Sequence, residues 1–300
     1  MRNIIVVGDI HAKNKEPYWF HIQKMFDELI KKYSKDVLIL LGDVFDSSSP
    51  VAEIEETIAY YLSQFSEVHI VSGNHDQSRR LGNTLLPLRV HNNIHVYVDA
   101  AEIEIEGKKC LILPYKDGYK EYESISFIGD YCFAHITNVE DAFSDEGIDL
   151  KNVNALQVYG HTHTNKEYKN KIVLGVPLPT RNLEISNPIM IIEENGHSFV
   201  SLDHNFSIDK IEYGTYPENK TNLYNVINAP SKDLVFESYK GYYIREEGIE
   251  ILRNENDLET EELTSFENGN LLEKFNLFAK ENDISKEVLT CVSSRLSKIS

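Results

Sequence analysis

Short aliphatic runs alternate along this chain with amphipathic helical patterns, and that alternation restricts residues 1–203 to an α/β unit. Ile4–Val7 is followed by Ile22, Met25, Phe26, Leu29, Ile30 and Tyr33, spaced by three and four as on one helix face. Val37–Leu41 reads as a second buried strand. Val51, Ile54, Ile58, Leu62 and Phe65 then share a helical face, and Val68–Val71 makes a third strand. The stretch "AEIEIEGKKCLILPY" alternates on both sides of Gly107, as a hairpin does. Further strands are expected at Tyr131–Ala134, Leu156–Tyr159, Ile172–Leu174, Ile189–Ile192 and Ser198–Leu202, the last two joined by Asn195-Gly196.

Beyond that unit the pattern weakens. Residues 204–252 mix Tyr, Asn and Lys with short apolar runs, which predicts a small capping or accessory domain. The stretch Glu246–Glu262 holds eight acids and one base, so 253–268 reads as a solvated acidic linker. Residues 269–300 carry two amphipathic helical stripes: Leu271, Leu272, Phe275 and Phe278, then Val288, Leu289, Val292, Leu296 and Ile299. Ser285 is placed to cap the second.

The residues just past each strand are more telling than the strands themselves. "GDIH" supplies Asp9 and His11; "GDVFD" supplies Asp43 and Asp46; "GNHD" supplies Asn74, His75 and Asp76; "FAH" supplies His135; "YGHTH" supplies His161 and His163. In open α/β sheets the loops at the carboxyl ends of strands line the ligand crevice, so these residues can converge. Ligands two apart, as in "DIH" and "HTH", leave an extended backbone on the same side. His161 and His163 thus reach either one centre or two adjacent ones. Two carboxylates, one amide and four imidazoles exceed what one ion takes and suit a pair of divalent cations, with mixed N/O donors favouring Mn, Fe or Zn. Such a pair, about 3.5–4 Å apart, clamps a phosphoryl group and activates water.

Each motif alone has an ordinary reading: Asp9 or Asp46 as a helix cap, Asn74 as a turn residue, HxH as loop chemistry. The ordered set at successive strand ends does not. A formal charge of −18 excludes a broadly basic nucleic-acid-binding surface but not a phosphate substrate held locally by metals. Cys110, Cys132 and Cys291 show neither disulfide nor zinc spacing and read as buried thiols. No apolar run has the roughly 20 residues of a membrane helix. The apolar run near the N-terminus is only four residues long, so no export signal is expected and the expected location is cytoplasmic.

DxH, GDxxD, GNHD, a single His and GHxH, in this order over residues 1–203, resemble the calcineurin-like metallophosphoesterases. The resemblance implies a four-layer α/β-β-α sandwich with a dinuclear site holding two divalent ions, Mn2+ being the expected metal. Asp9, His11 and His163 would hold one ion, Asn74, His135 and His161 the other, and Asp43 would bridge. His75 and Asp76 are the expected catalytic residues: His75 matches the family's catalytic histidine, which stabilises the transition state or protonates the leaving oxygen while water attacks phosphorus in line. Asp76 in place of Glu, and Ser47 in place of Arg, separate the chain from the Ser/Thr protein phosphatases.

"GDVFDSSSP" resembles the GDxFDxxxP segment of the DNA-repair nuclease branch, whose bacterial member is SbcD. The order of core, small cap and helical tail is similar too, and the short length with "LPY" resembles the recombination nuclease subunits of tailed phages. This implies DNA as substrate, an SbcC-type coiled-coil ATPase bound by the C-terminal helices, and a possible homodimer. Arg79 and Arg80 are the expected phosphate contacts, with Lys166, Lys169, Lys171 and Arg181 as further candidates; each alone reads equally as solvated charge. Tyr18 and Trp19 read as helix packing or as base stacking. The alternative function is a small-molecule or cyclic-nucleotide phosphodiesterase. A non-catalytic scaffold ranks last, because every ligand position and His75 are present.

Overall fold

β1 (Ile4–Val7) pairs in parallel with β2 (Val37–Leu40), and every residue of both is buried, as in strands covered on two faces. The computed structural model describes residues 1–252 except 79–81, 118, 142–146, 182–183 and 204–205. α1 (Tyr18–Tyr33) connects β1 to β2, and α2 (Ala52–Ser63) connects β2 to β3 (Glu67–Val71), which lies parallel to β2. After the two-residue strands β4 (Gln77–Ser78) and β5 (Gly82–Asn83), β6 (Ile94–Tyr97) pairs in parallel with β3. β6 is absent from the sequence expectations, since "IHVY" is short and breaks its apolar pattern with His95.

β7 (Ala101–Ile105) and β8 (Lys108–Leu113) form the expected hairpin about Gly107. β9 (Phe127–Ala134), β10 (Val153–Tyr159), β11 (Lys166–Glu167) and β12 (Lys171–Val173) complete a second sheet in the order 11-12-10-9-8-7. β13 (Ile189–Glu193) and β14 (Gly196–Val200) return to the first sheet, whose order is 14-13-1-2-3-6.

Strand period two sorts the core. Ile4, Val6, Val37 and Ile39 meet Cys110, Ile112, Tyr131 and Phe133 between the sheets. Ile5, Val7, Leu38 and Leu40 face α1 and α2, where Met25, Phe26, Leu29, Ile58 and Leu62 are buried. On the outer face of the second sheet, Leu111, Leu113, Cys132 and Ala134 pack under Tyr122, Ile148 and Leu150. The sandwich is thus the α/β-β-α arrangement expected. Its fourth layer, among the described residues, is a 3₁₀ turn at Tyr119–Ser124 and the segments 136–141 and 147–150 rather than an α-helix. Cys110 and Cys132 are buried free thiols. Tyr18 and Trp19 belong to the core.

β15 (Ile208–Glu212), β16 (Leu223–Ile227), α3 (Lys232–Ser238) and β17 (Tyr243–Ile244) come next along the chain. The three strands are parallel, α3 is capped by Ser231, and Val226, Ala229, Val235, Tyr239 and Ile249 form a cluster of their own. This unit lies against α1: His21 stacks on Phe206 with centroids 4.5 Å apart, and its Nε2 is 2.9 Å from the carbonyl oxygen of Thr221. The linker and tail expected at 253–300 lie outside the described residues. Among the described residues no helix is long and apolar enough to cross a membrane.

Candidate metal centre

The parallel strands β1, β2, β3, β9 and β10 end on the same edge, and the residue types singled out in the sequence sit just beyond those ends. Asp9, His11 and His163 offer ligand atoms within 4.8 Å of one another, as do His11, Asp43 and His75, and again Asp43, His135 and His161. Asp43 therefore stands between two groups. Its Oδ2 lies 3.8 Å from His11 Nε2 on one side and 3.5 Å from His135 Nε2 on the other. Asn74 Oδ1 is 3.1 Å from His135 Nε2, and Asp9 Oδ2 is 3.9 Å from His163 Nε2. All seven residues expected as ligands are brought together, and His75 borders them with its ring 4.9 Å from that of His11.

The backbone is bent to achieve this. His11, Asp43 and His161 have φ of 50°, 45° and 74°, in the left-handed region that costs a non-glycine residue about 1–3 kcal/mol. Crowding is as severe. A Cβ on Gly42 would lie 2.2 Å from His135 Nδ1, and one on Gly73 would lie 2.1 Å from Asp43 Oδ1. The glycines of "GD" and "GN" are thus a condition of the cluster.

Asp9 and Asp43 are 1% and 2% exposed, so their charges are expensive without cations nearby. Burial, and then the Asp43 charge, push Asp9 up to about 6 against the pull of His135. Burial also acts on Asp43, but His135 and His11 outweigh it and hold Asp43 well below the usual carboxylate range. His135 is drawn upward to about 9, because the two carboxylates overcome its burial. Burial lowers His11 to about 3 and His161 to about 4, so both are neutral imidazoles with a lone pair to give.

These donors fit divalent metal. His11 Nε2 and His163 Nε2 face each other at 3.1 Å, and buried His11 Nδ1 has no hydrogen-bond partner. Neutral imidazole nitrogens and buried carboxylates crowded this closely are the donor set of a borderline-hard cation.

Asp76 is fully buried and faces backbone: Gly73 N–H donates to Oδ2 at 2.8 Å and Phe45 N–H to Oδ1 at 3.4 Å. It braces two of the loops and stands outside the ligand groups. Burial and the Asp43 charge raise it to about 7. The His75 ring is held instead by the Asp46 carbonyl oxygen, 2.8 Å from Nδ1. Asp46 does not cap α2, whose first residue is preceded by Val51; its Oδ1 sits 3.5 Å from His11 Nδ1.

The basic residues scatter. Arg79 and Arg80 lie outside the described residues. Lys166 is paired with Asp141, and Lys171 is buried against Asn138 and Glu140. Arg181 and Lys169 are exposed.

One neighbour carried no sequence signal. Glu184 Oε1 lies 2.7 Å from His163 Nδ1. Burial pushes this carboxyl up, but hydrogen bonds from His163, Thr180 and Arg181 outweigh it and hold it at about 2. It stands alone in "TRNLEIS", 21 residues after its histidine, in no ligand pattern.

No curated protein matches the chain. Among solved structures it is similar to Yfce, a phosphoesterase from E. coli, at 15% identity and TM-score 0.38, over 67% of this chain and 93% of that one. It is also similar to the phosphopantetheinyl hydrolase PptH of Mycobacterium tuberculosis, at 14% identity and TM-score 0.38, over 59% and 90%. A third likeness is to AQ665 of Aquifex aeolicus, a protein of unknown function, at 17% identity and TM-score 0.32, over 52% and 89%. At these identities and scores the likenesses say nothing about substrate. Residues 2–171 match the calcineurin-like phosphoesterase family, and the chain, a metal-dependent phosphoesterase by its fold and its cluster of ligand side chains, belongs to it.

Proposed function

We propose that this phosphoesterase is a nuclease subunit that hydrolyses DNA phosphodiesters at a centre of two divalent ions. The observation that carries the chemistry is the position of Asp43 between the two ligand groups. In this reading Asp9, His11 and His163 hold one ion, Asn74, His135 and His161 the other, and Asp43 is shared. When bound, the ions polarise the phosphoryl oxygens and lower the pKa of a water. The protein's own part falls to His75. The Asp46 carbonyl can only accept, so His75 Nδ1 carries a proton and Nε2 is the nitrogen turned to the substrate. As an imidazolium it gives the Nε2 proton to the leaving oxygen as the P–O bond breaks, which a general acid makes about 10²–10⁴-fold faster.

A polymer as substrate is supported by "GDVFDSSSP" and by one groove of the surface. A groove of about 320 Å³ between the loop after β1 and the accessory unit is lined by Lys15, Phe236, Lys240 and Tyr243, with Glu16 as the one acidic side chain. Exposed aromatics with lysines suit a strand of nucleic acid. Residues 269–300 would be the binding element for an SbcC-type ATPase, on the strength of the two amphipathic apolar stripes in their sequence.

Mn2+-dependent degradation of linear double- and single-stranded DNA, set beside hydrolysis of a small chromogenic phosphodiester, tests the first part. DNA cleavage lost in His75→Asn supports it. Small-diester turnover with DNA left intact overturns it in favour of the small-molecule reading. Deleting 269–300 should abolish ATPase association without touching DNA cleavage, and unchanged association would remove the partner.

A further inference from the structure

The two oxygens of Glu184 have separate duties. Oε2 accepts from Thr180 N–H at 2.7 Å, from Thr180 Oγ1 at 3.0 Å and from Arg181 N–H at 2.8 Å, closing a turn. Among the described residues, Oε1 accepts from His163 Nδ1 alone, at 2.7 Å. A carboxylate only accepts, so this contact puts the proton on Nδ1 and leaves the Nε2 lone pair facing Asp9 and His11. The turn is anchored in its own right: Tyr18 Oη donates to the Thr180 carbonyl at 3.3 Å, and Asn187 Nδ2 donates to the backbone carbonyl of His163 at 3.2 Å. Asn187 supports the main chain of the histidine, and Glu184 supports its ring.

We infer that Glu184 is a positioning residue for the metal centre, fixing the tautomer and ring direction of His163 so that Nε2 is presented to one ion of the pair. A histidine ligand whose other nitrogen is held by a carboxylate is also the more basic donor. The inference rests on the metal centre and is independent of which phosphodiester is hydrolysed.

Glu184→Gln separates the two duties. Three donors on the Oε2 side fix the amide oxygen there, so the turn stays capped while an NH2 group replaces Oε1. That group donates to Nδ1, moves the proton to Nε2 and removes the lone pair from the ion. Calorimetric titration of the full chain with Mn2+ alone, without substrate, should show one of the two ions bound about 10–100-fold more weakly in Glu184→Gln and the other unchanged. In a His163→Ala background, Glu184→Gln should have no further effect. Equal Mn2+ affinities in wild type and Glu184→Gln, or effects additive with His163→Ala, would overturn the inference and leave the centre standing. A wild type that binds no Mn2+ would remove the centre and the inference together.

A second measurement needs no variant. In Zn2+-loaded wild-type protein, ¹⁵N-resolved spectra of the histidine rings should show His163 protonated at Nδ1 and unprotonated, as the metal donor, at Nε2. Protonation at Nε2 would refute the role.

Discussion

Two histidines in this molecule are each held by a glutamate, with opposite consequences. His69, inside β3, has Nε2 3.0 Å from Glu67 Oε1 and Nδ1 2.9 Å from the Tyr97 hydroxyl, with its ring stacked 5.0 Å from that of His95. Both nitrogens are used and the residue is 4% exposed. His163, in the loop beyond β10, gives Nδ1 to Glu184 and keeps Nε2 for a centre shared with Asp9 and His11. The glutamate is common to both, so it does not make a ligand. A histidine becomes one where the chain leaves the sheet and neighbours stop filling its second nitrogen. Within the strand, β6 brings Tyr97 alongside and closes the pair.

The largest effect that separates the two pairs is on catalysis. His163→Ala should lower phosphodiester hydrolysis at least about 100-fold, since it removes a donor that even an outer partner supports by 10–100-fold. His69→Ala should leave kcat/KM within about twofold, because the reacting atoms meet nothing that it touches. Comparable losses in both variants would erase the distinction between closed and open pairs.

Stability should divide the other way. In EDTA, His69→Ala should cost about 1–3 kcal/mol by urea unfolding, as it leaves buried polar partners unmatched. With Mn2+ at 100 times its Kd, the wild type should gain about 2.7 kcal/mol for a site that binds only the folded chain. His69→Ala should keep the gain from both ions, and His163→Ala should keep only the gain from the ion that His163 does not hold. The full wild-type Mn2+ gain in His163→Ala would mean that His163 holds neither ion.

The sequence displayed His163 but neither of these pairs. The seven residues expected as ligands, and His75, are readable because each comes one to four residues after a buried apolar run, so strand ends and ligand types reinforce each other. Asp46 was half-readable: the second carboxylate of "GDVFD" suits a cap as well as a site neighbour, and only the start of α2 at Ala52 decides. Glu184 was not readable, because its partnership with His163 depends on the course of the chain through Gly175 and Thr180 between β12 and β13, which no local period encodes. β6 and the three parallel strands after residue 207 escaped for a related reason. They are short, two to five residues, and their sides are closed by distant partners rather than by alternation. The helices were clearer: α1 and α2 repeat their apolar spacing over three or more turns.

The smallest expected effect is a pH dependence, and it tests whether the closed pair is closed. Burial lowers His69 from 6.5 to about 4, with Glu67 opposing and His95 and Arg2 adding to the shift. The unfolded chain therefore binds a proton at this residue between pH 6.5 and 4 that the folded chain refuses. The stability due to neutral His69 is fully present above pH 6.5 and is lost as pH falls toward 4, at no more than about 1.4 kcal/mol per pH unit. His69→Gln cannot titrate, so the stability gap between wild type and variant, read by urea unfolding without metal, should shrink by roughly 1–2 kcal/mol between pH 7 and pH 5. A gap that stays constant would mean that the folded protein protonates His69 freely. The ring would then reach solvent or a second charge, and the contrast with His163 would have to rest on position in the fold alone.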